Sequence, residues 1–313
     1  MQNPFPYSFD NKRYHTFNYY LKNTYHGKVA KVIIDADFTC PNRDGTKGYG
    51  GCIYCSDRGS GDTSAIFHQD VLAQYLANKE AMDLKWHNQY YIPYFQSYSN
   101  TYGPLEKIKN YLEVFRHRPE VAEISLGTRA DCLPQDIVDY LNDYCNDKPV
   151  WLEIGLQTSN NQTANFINRA HDFACFKDAL MRLSKTKIKV CVHIINGLPF
   201  ETRDDMLKTV SDLIELPFDA IKIHMLHIIK DTALAKYYAY KPFKVLSEQE
   251  YIDILVEQIE MLPPEIIVER VTGDAVKADL IEPRWTLNKL QVLNDIDKAF
   301  VAKQTYQGAK YSK

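Results

Sequence analysis

The chain is predicted to adopt an α/β fold, an open barrel of about six parallel strands with helices on the outside. Short apolar runs alternate six times with longer stretches of helical periodicity, an order that is typical of parallel sheets. Polar side chains suited to chemistry follow several of these runs, where barrel enzymes place their active sites. No Gly-x-Gly-x-x-Gly motif opens the first helix, which disfavours the alternative of a dinucleotide-binding sheet.

Each predicted strand is rich in β-branched or aromatic residues. The six strand segments are 28–37, 89–96, 121–128, 148–158, 187–197 and 218–229. The segments with helical spacing between them are 68–82, 104–118, 134–145, 173–186 and 203–216. The segment 265–273 is a candidate for a seventh strand, and the tail from about Trp285 is predicted to be a closing helix.

We expect one compact unit, because the chain has no Gly/Ser-rich linker, internal repeat or low-complexity tract. Residues 1–28 are predicted to be an N-terminal extension, and residues 29–240 the barrel. Residues 241–313 are predicted to pack on the barrel or close it.

The composition predicts a cytoplasmic protein that does not span a membrane. The chain has no apolar run of about 18 residues, and its N-terminus lacks the layout of a signal peptide. Seven cysteines, an odd number, fit a reducing compartment better than a disulfide framework. The net charge is −3, but residues 1–34 and 298–313 each carry +4 and leave −11 between them. These basic ends have aromatic neighbours and either contact RNA or are simply solvated.

Three cysteines follow the first predicted strand with the spacing Cys-x11-Cys-x2-Cys, namely Cys40, Cys52 and Cys55. Three thiolates can hold a four-iron cluster that leaves one iron open to S-adenosylmethionine. Structural zinc needs four protein ligands, so that alternative requires a remote residue such as His68. A third alternative is unligated thiols. The other four cysteines are isolated and fit small buried side chains: Cys132, Cys145, Cys175 and Cys191.

Several motifs resemble the YhcC/YtqA-type radical S-adenosylmethionine proteins, which are relatives of the Elongator catalytic subunit and of oxygen-independent coproporphyrinogen oxidase. They are RYHTFNYYLK, DADFTCPNRDGTKGYGGCIYC, GTRADCLP, EIGLQT and INRAH, and the resemblance extends from Arg13 to about Lys289. The resemblance implies a partial (β/α)6 barrel, a [4Fe-4S] cluster on the three cysteines, S-adenosyl-L-methionine, and an electron donor such as flavodoxin or ferredoxin. Gram-positive members look like tRNA wobble-uridine enzymes of the MnmL type. Those convert 5-carboxymethylaminomethyluridine to 5-aminomethyluridine, which implies the anticodon region of tRNA as partner.

The resemblance also implies contacts to S-adenosylmethionine from three places. The loop after the second strand would receive the methionine amino group, although a turn rich in Ser and Asn explains the same residues. Gln157 and, twelve residues on, Arg169 would bind the ribose and the methionine carboxylate. Gly197 would let the backbone approach adenine, and Tyr54 would pack on it or belong to the core. The residues predicted for the loop after the second strand are Gln96, Ser99, Asn100 and Thr101.

His224, His227 and Arg270 are the candidates for contact with the substrate. Histidines and a lysine at a barrel mouth can bind an anionic group or relay a proton, but they also occur as satisfied core residues. Arg270 could pair with a substrate carboxylate or an RNA phosphate, or form a structural ion pair. The alternatives to tRNA modification are a radical enzyme that acts on a small molecule and a zinc-stabilised RNA-binding module.

Overall fold

Seven parallel strands form the main sheet of the computed structural model, which describes residues 3–57, 59, 70–84 and 86–312. The strand order is β1-β2-β3-β4-β5-β6-β8, so β1 and β8 are the edges and the barrel is open. The strands of this sheet are β1 (Val29–Ile34), β2 (Tyr90–Phe95), β3 (Ile124–Thr128), β4 (Val150–Gln157), β5 (Lys189–Asn196), β6 (Ala220–Met225) and β8 (Ile267–Arg270). A short antiparallel ribbon pairs β7 (Ile228–Ile229) with β9 (Leu280–Glu282).

Helices follow the strands and cover the outside of the sheet. They are α1 (Phe17–Tyr25), α2 (Val71–Asp83), α3 (Leu105–Arg116), α4 (Gln135–Tyr144), α5 (Asn161–Phe166), α6 (Phe173–Leu183), α7 (Arg203–Leu213), α8 (Ala233–Tyr240), α9 (Glu248–Met261) and α10 (Lys289–Ala302). Ser247 and Glu250 form a capping box at the start of α9, in which each side chain accepts a backbone hydrogen bond from the other residue. None of the helices in the described ranges is long and apolar enough to cross a membrane.

The predicted α/β barrel is confirmed. All six predicted strands form, and the candidate segment 265–273 supplies the seventh as β8. The closing helix begins at Lys289, after a 3-10 turn over Arg284–Leu287. Helices α1, α5, α8 and α9 and the ribbon were not predicted from the sequence.

Helix α1 closes the end of the barrel at which the strands begin. Its Tyr20 ring lies edge-on to Trp151, the second residue of β4, and under the Lys189 ammonium at the start of β5. The Tyr20 hydroxyl donates to Glu123, just before β3. Because the strands are parallel, their carboxyl ends all open at the opposite face.

Candidate active site

The cysteine loop leaves the carboxyl end of β1 and is tied to the segment after α5. Ile53 N donates to Ile167 O at 3.1 Å, and Asn168 Nδ2 donates to Gly51 O at 2.8 Å. Asn42 Nδ2 in turn donates to Asn168 O. These bonds fold the eleven-residue spacer back so that Cys40 can join the Cys-x2-Cys pair.

Cys40, Cys52 and Cys55 line one cavity of about 140 Å³ at the carboxyl ends of the strands, and all three are free thiols. Cys40 and Cys52 are buried, whereas Cys55 is partly exposed. Within the described ranges, no three His, Cys, Asp or Glu side chains converge as ligands of a single metal ion. Three thiols spread around a cavity fit a cluster in which each of three irons takes one thiolate. The zinc alternative requires a fourth ligand such as His68, and this residue lies outside the described residues.

Two arginines supply positive charge beside these thiols. Arg169 Nη1 lies 3.7 Å from Cys52 Sγ, and Arg129 Nη2 donates to Arg169 O at 2.8 Å. The hydrogen bond from Cys55 and the charges of Arg169 and Arg129 hold the pKa of the Cys52 thiol well below its usual value, although burial raises it. The hydrogen bond with Cys52 and burial raise the pKa of the Cys55 thiol well above its usual value, so the arrangement favours thiolate, the form that ligates iron, at Cys52.

Gln157 and Arg169 meet above Gly155 on β4. A Cβ atom at Gly155 would lie 2.6 Å from Gln157 Nε2 and 2.9 Å from Arg169 Nη2, so glycine makes room for both side chains. Gln157 has a φ of +75° at a register shift between β4 and β5. A non-glycine residue seldom adopts such a φ, and here it accompanies a side chain that lines the cavity. The structure thus brings these two predicted residues to the cysteines.

The loop after β2 contributes only part of what was predicted. Gln96 and Ser99 line the cysteine cavity. Asn100 Nδ2 instead donates to Phe95 O at 3.1 Å and to Gly127 O at 2.9 Å, which holds the loop in shape.

Two of the predicted cofactor contacts lie elsewhere. The Thr101 hydroxyl forms hydrogen bonds with Thr128 Oγ1 and Cys132 O. Thr101 lines a larger cavity of about 910 Å³, and none of the three cluster cysteines lines that cavity. Gly197 lines a third cavity of about 520 Å³, where Leu246 would lie 3.2 Å from an added Cβ. Neither residue lines the cavity of the three cysteines, and contact of Thr101 and Gly197 with the cofactor stays a prediction.

Tyr54 lies between the cysteine cavity and a neighbouring one of about 250 Å³, and it lines both. Its ring packs against the apolar cluster formed by Ile167, Leu198 and Leu226. The two sequence interpretations, cofactor contact and core residue, are thus compatible. The lining shared by the two cavities is completed by Gln96, Gln157 and His193.

The neighbouring cavity brings together His224, His227 and Arg270. The Nε2 atoms of both histidines are buried without a hydrogen-bond partner in the described structure. Burial and the Arg270 charge lower the pKa of His227 to about 4 and hold the pKa of His224 well below its usual value. Arg270 pairs with Asp274, which Lys289 Nζ also contacts at 2.8 Å. The cavity therefore combines a guanidinium with two neutral imidazoles.

A buried charged floor beneath the cysteine cavity, which Glu153 lines, was not predicted from the sequence. Lys31 on β1 and Lys222 on β6 pair with Glu153 on β4 and Glu269 on β8. These strands are not all neighbours, so the side chains meet across the inside of the barrel. The sequence signal for this floor is the presence of two lysines and two glutamates within otherwise apolar strands.

The chain matches two family models, the Radical SAM superfamily over residues 42–213 and the Radical_SAM C-terminal domain over residues 218–301. It is 44% identical to protein YtqA of Bacillus subtilis over 306 residues, 98% of this chain and 95% of that protein. It is 33% identical to protein YhcC of Escherichia coli K12 over 279 residues, 89% of each chain.

Two further matches have a lower sequence identity. A tRNA uridine(34) acetyltransferase of Methanocaldococcus jannaschii is 25% identical over 144 residues, 42% of this chain and 27% of that protein. The solved structure of Methanocaldococcus infernus Elp3 with an N-terminal deletion superposes with a TM-score of 0.67 at 16% identity, over 89% of this chain and 64% of that one. At that identity the likeness shows the fold.

Proposed function

The chain belongs to the radical SAM superfamily, and from that premise we propose that it modifies a tRNA wobble uridine. The reaction would convert 5-carboxymethylaminomethyl(2-thio)uridine to 5-aminomethyl(2-thio)uridine, as the MnmL-type resemblance implies. The observation that carries the proposal is the convergence of Cys40, Cys52 and Cys55 with Gln157 and Arg169 on one cavity that adjoins a second, polar one.

Members of this superfamily use a [4Fe-4S] cluster and S-adenosylmethionine, which together supply hydrogen abstraction from an unreactive carbon. Cys40, Cys52 and Cys55 would hold the cluster. Arg169, with a guanidinium fork, would bind the methionine carboxylate, and Gln157 and Gln96 would bind further polar groups of the cofactor. Tyr54 would pack on the adenine. The cofactor also needs a reductant, and we propose a flavodoxin or ferredoxin in the cytoplasm.

Two observations support a nucleotide with an anionic side chain as substrate. Arg270 offers a guanidinium in the second cavity, beside the unpartnered nitrogens of His224 and His227. The match to a protein named for uridine 34 of tRNA covers 42% of this chain. Chemistry on a base within this cavity would require the anticodon nucleotide to be splayed out of its stack.

The test is anaerobic reconstitution followed by incubation with S-adenosylmethionine, a reductant and tRNA from a strain that lacks the gene. 5′-Deoxyadenosine and the nucleoside digest are measured by mass spectrometry. We expect deoxyadenosine to form together with loss of the carboxymethyl group from the wobble uridine, and neither to occur with Cys55→Ala. Deoxyadenosine with unchanged tRNA would refute the substrate and favour a small molecule, and a folded protein without iron or cleavage would refute the chemistry.

A further inference from the structure

The Glu153 carboxylate at the floor of the cysteine cavity receives four hydrogen bonds. Lys31 Nζ and Ser125 Oγ each donate to Oε1 at 2.6 Å. Lys222 Nζ donates to Oε2, and His193 Nε2 lies 2.9 Å from the same oxygen. A carboxylate has about four lone-pair sites, so these four groups fill them.

The charges of the floor balance without His193. Two ammonium groups, Lys31 and Lys222, face two carboxylates, Glu153 and Glu269, and a protonated imidazole would add an uncompensated buried charge. Burial raises the pKa of Glu153, but Lys222 and Lys31 bring it well below its usual value. Burial and Lys222 lower the pKa of His193. The titratable groups around this imidazole are Glu153 on β4, Lys222 and His224 on β6, Tyr94 on β2, Lys31 on β1 and Glu269 on β8.

This arrangement fixes the tautomer of His193. An ionised carboxylate only accepts hydrogen bonds, so the proton of the neutral ring must sit on Nε2 and leave Nδ1 as an acceptor. His193 lines both cavities at the place where they meet, and its side chain is 22% exposed. We infer that Glu153 positions His193 as a neutral acceptor, with Nδ1 available to a ligand hydroxyl or N–H group at the junction of the two cavities.

Two ligands could bring such a hydrogen to the junction. One is a hydroxyl of S-adenosylmethionine, and the other is a hydroxyl or N–H of the substrate nucleoside. In both cases His193 Nδ1 accepts a hydrogen bond from an O–H or N–H group. This inference depends on membership of the superfamily and not on tRNA as the substrate, so the two can fail separately.

The first test reads the tautomer directly. Full-length protein labelled with 15N-histidine and anaerobically reconstituted is examined by long-range 1H–15N correlation NMR, and the His193 signal is identified by its absence from His193→Gln. We expect the proton on Nε2 and a bare Nδ1 at neutral pH. In Glu153→Gln we expect the proton to distribute over both nitrogens, because the amide can donate as well as accept. A wild-type proton on Nδ1, or on both nitrogens, would overturn the inference.

The second test compares two substitutions that each keep one edge of the imidazole. His193→Gln retains an amide donor near the position of Nε2 and so preserves the floor, but it loses the acceptor near Nδ1. His193→Asn retains a carbonyl acceptor near Nδ1. We expect His193→Gln to weaken ligand binding about tenfold and His193→Asn to weaken it no more than about threefold.

Binding is measured with S-adenosylmethionine by equilibrium dialysis and with hypomodified tRNA by filter binding, on reconstituted protein. A selective loss of S-adenosylmethionine affinity in His193→Gln would support the cofactor as the donor. A selective loss of tRNA affinity would support the substrate. Equal affinities of all three proteins for both ligands would contradict the acceptor role. An equal loss in both variants with a lower thermal midpoint would assign His193 a structural role instead.

Discussion

At the scale of single residues, Cys52 differs from the other buried cysteines in its neighbours. Arg169 and Asn42 both direct side-chain nitrogens at its sulfur, at 3.7 and 3.9 Å. Cys191 is also fully buried, but it belongs to an apolar cluster with Trp151, and burial raises the pKa of its thiol well above the usual value. Donors and positive charge around a thiol are expected at a metal ligand and not at a packing residue.

We predict that Cys52→Ala abolishes iron binding and cleavage of S-adenosylmethionine. The apoprotein should remain folded and lose no more than about 1 kcal/mol, because only one small side-chain atom is removed. Iron per chain after reconstitution, deoxyadenosine formation and the thermal midpoint of the apoprotein are the measurements. Cys145→Ala is the matched control, since this partly buried thiol lies outside both cavities. Iron content equal to that of the wild type would refute the assignment.

Arg270 is expected to act on the substrate and not on the cofactor. We predict that Arg270→Ala lowers substrate turnover about 10- to 100-fold, the loss expected for a charged hydrogen bond, and changes uncoupled cofactor cleavage by less than about twofold. The two rates are measured in one assay with and without tRNA. Lys289→Ala is the control, because Lys289 shares Asp274 with Arg270 but does not line the cavity. Equal losses in both rates would give Arg270 a structural role.

At the scale of secondary structure, the strands could be predicted because each is a short run of β-branched and aromatic residues. Helix α9 was not predicted because its buried residues, such as Tyr251, Leu255 and Val256, lie on several faces of the helix. The sequence therefore shows no single apolar stripe there. The three cysteines could be predicted because they lie in one loop. Glu153 could not, because its partners come from four other strands and only the folded sheet brings them together.

Glu201 links two of the loops at the carboxyl ends of the strands. It follows β5, and its Oε1 accepts a hydrogen bond of 2.5 Å from Thr158 Oγ1, in the loop after β4. Burial raises the pKa of the Glu201 carboxyl to about 7, although the bonds from Thr158 and Thr163 lower it. A carboxyl whose pKa is higher in the folded state stabilises the fold at low pH, and this contribution is lost as the pH rises through about 7.

We therefore predict that Glu201→Gln, which mimics the protonated carboxyl, removes this pH dependence. Wild-type stability should fall by up to roughly 3 kcal/mol from about pH 5 to about pH 8 relative to the variant. Urea midpoints of both proteins at the two pH values provide the measurement, and the exposed Glu265→Gln is the control. A constant difference between wild type and Glu201→Gln at the two pH values would show that the carboxyl does not titrate in this range.

At the scale of the whole molecule, the two ends of the chain meet at the edge strand β8. Val268 N donates to His15 O at 2.7 Å, and Gln307 N donates to Arg13 O at 2.9 Å. An otherwise open sheet edge is thereby paired to the N-terminal segment. These bonds join the regions predicted as 1–28 and 241–313, and the pairing of β8 with β6 joins the latter to the region 29–240. We expect the three regions to unfold together.

Gln307 is the side chain on which this closure depends most. It is fully buried, its Oε1 accepts from His15 N at 2.8 Å, and its Nε2 donates to Pro263 O and Ile266 O at 2.7 and 2.8 Å. Gln307→Leu would leave the part-buried His15 N–H and the buried Ile266 O without these partners, whereas Pro263 O keeps a hydrogen bond from Ile266 N. We predict a loss of about 3 kcal/mol, measured from urea midpoints followed both by far-UV circular dichroism and by tryptophan fluorescence.

The control for Gln307→Leu is the same substitution at Gln291. This exposed side chain bonds only to Asp295 in its own helix, so Gln291→Leu should cost less than about 0.5 kcal/mol. Both proteins carry Trp86→Phe and Trp285→Phe, so that Trp151 on β4 is the fluorescent reporter. If the ends hold the barrel together, Gln307→Leu should lower the midpoints of both probes by the same amount, because Trp151 lies far along the chain from the substitution. A fluorescence midpoint that stays at the wild-type value while the circular-dichroism midpoint falls would mean that the C-terminal region unfolds alone and that the barrel remains folded without it.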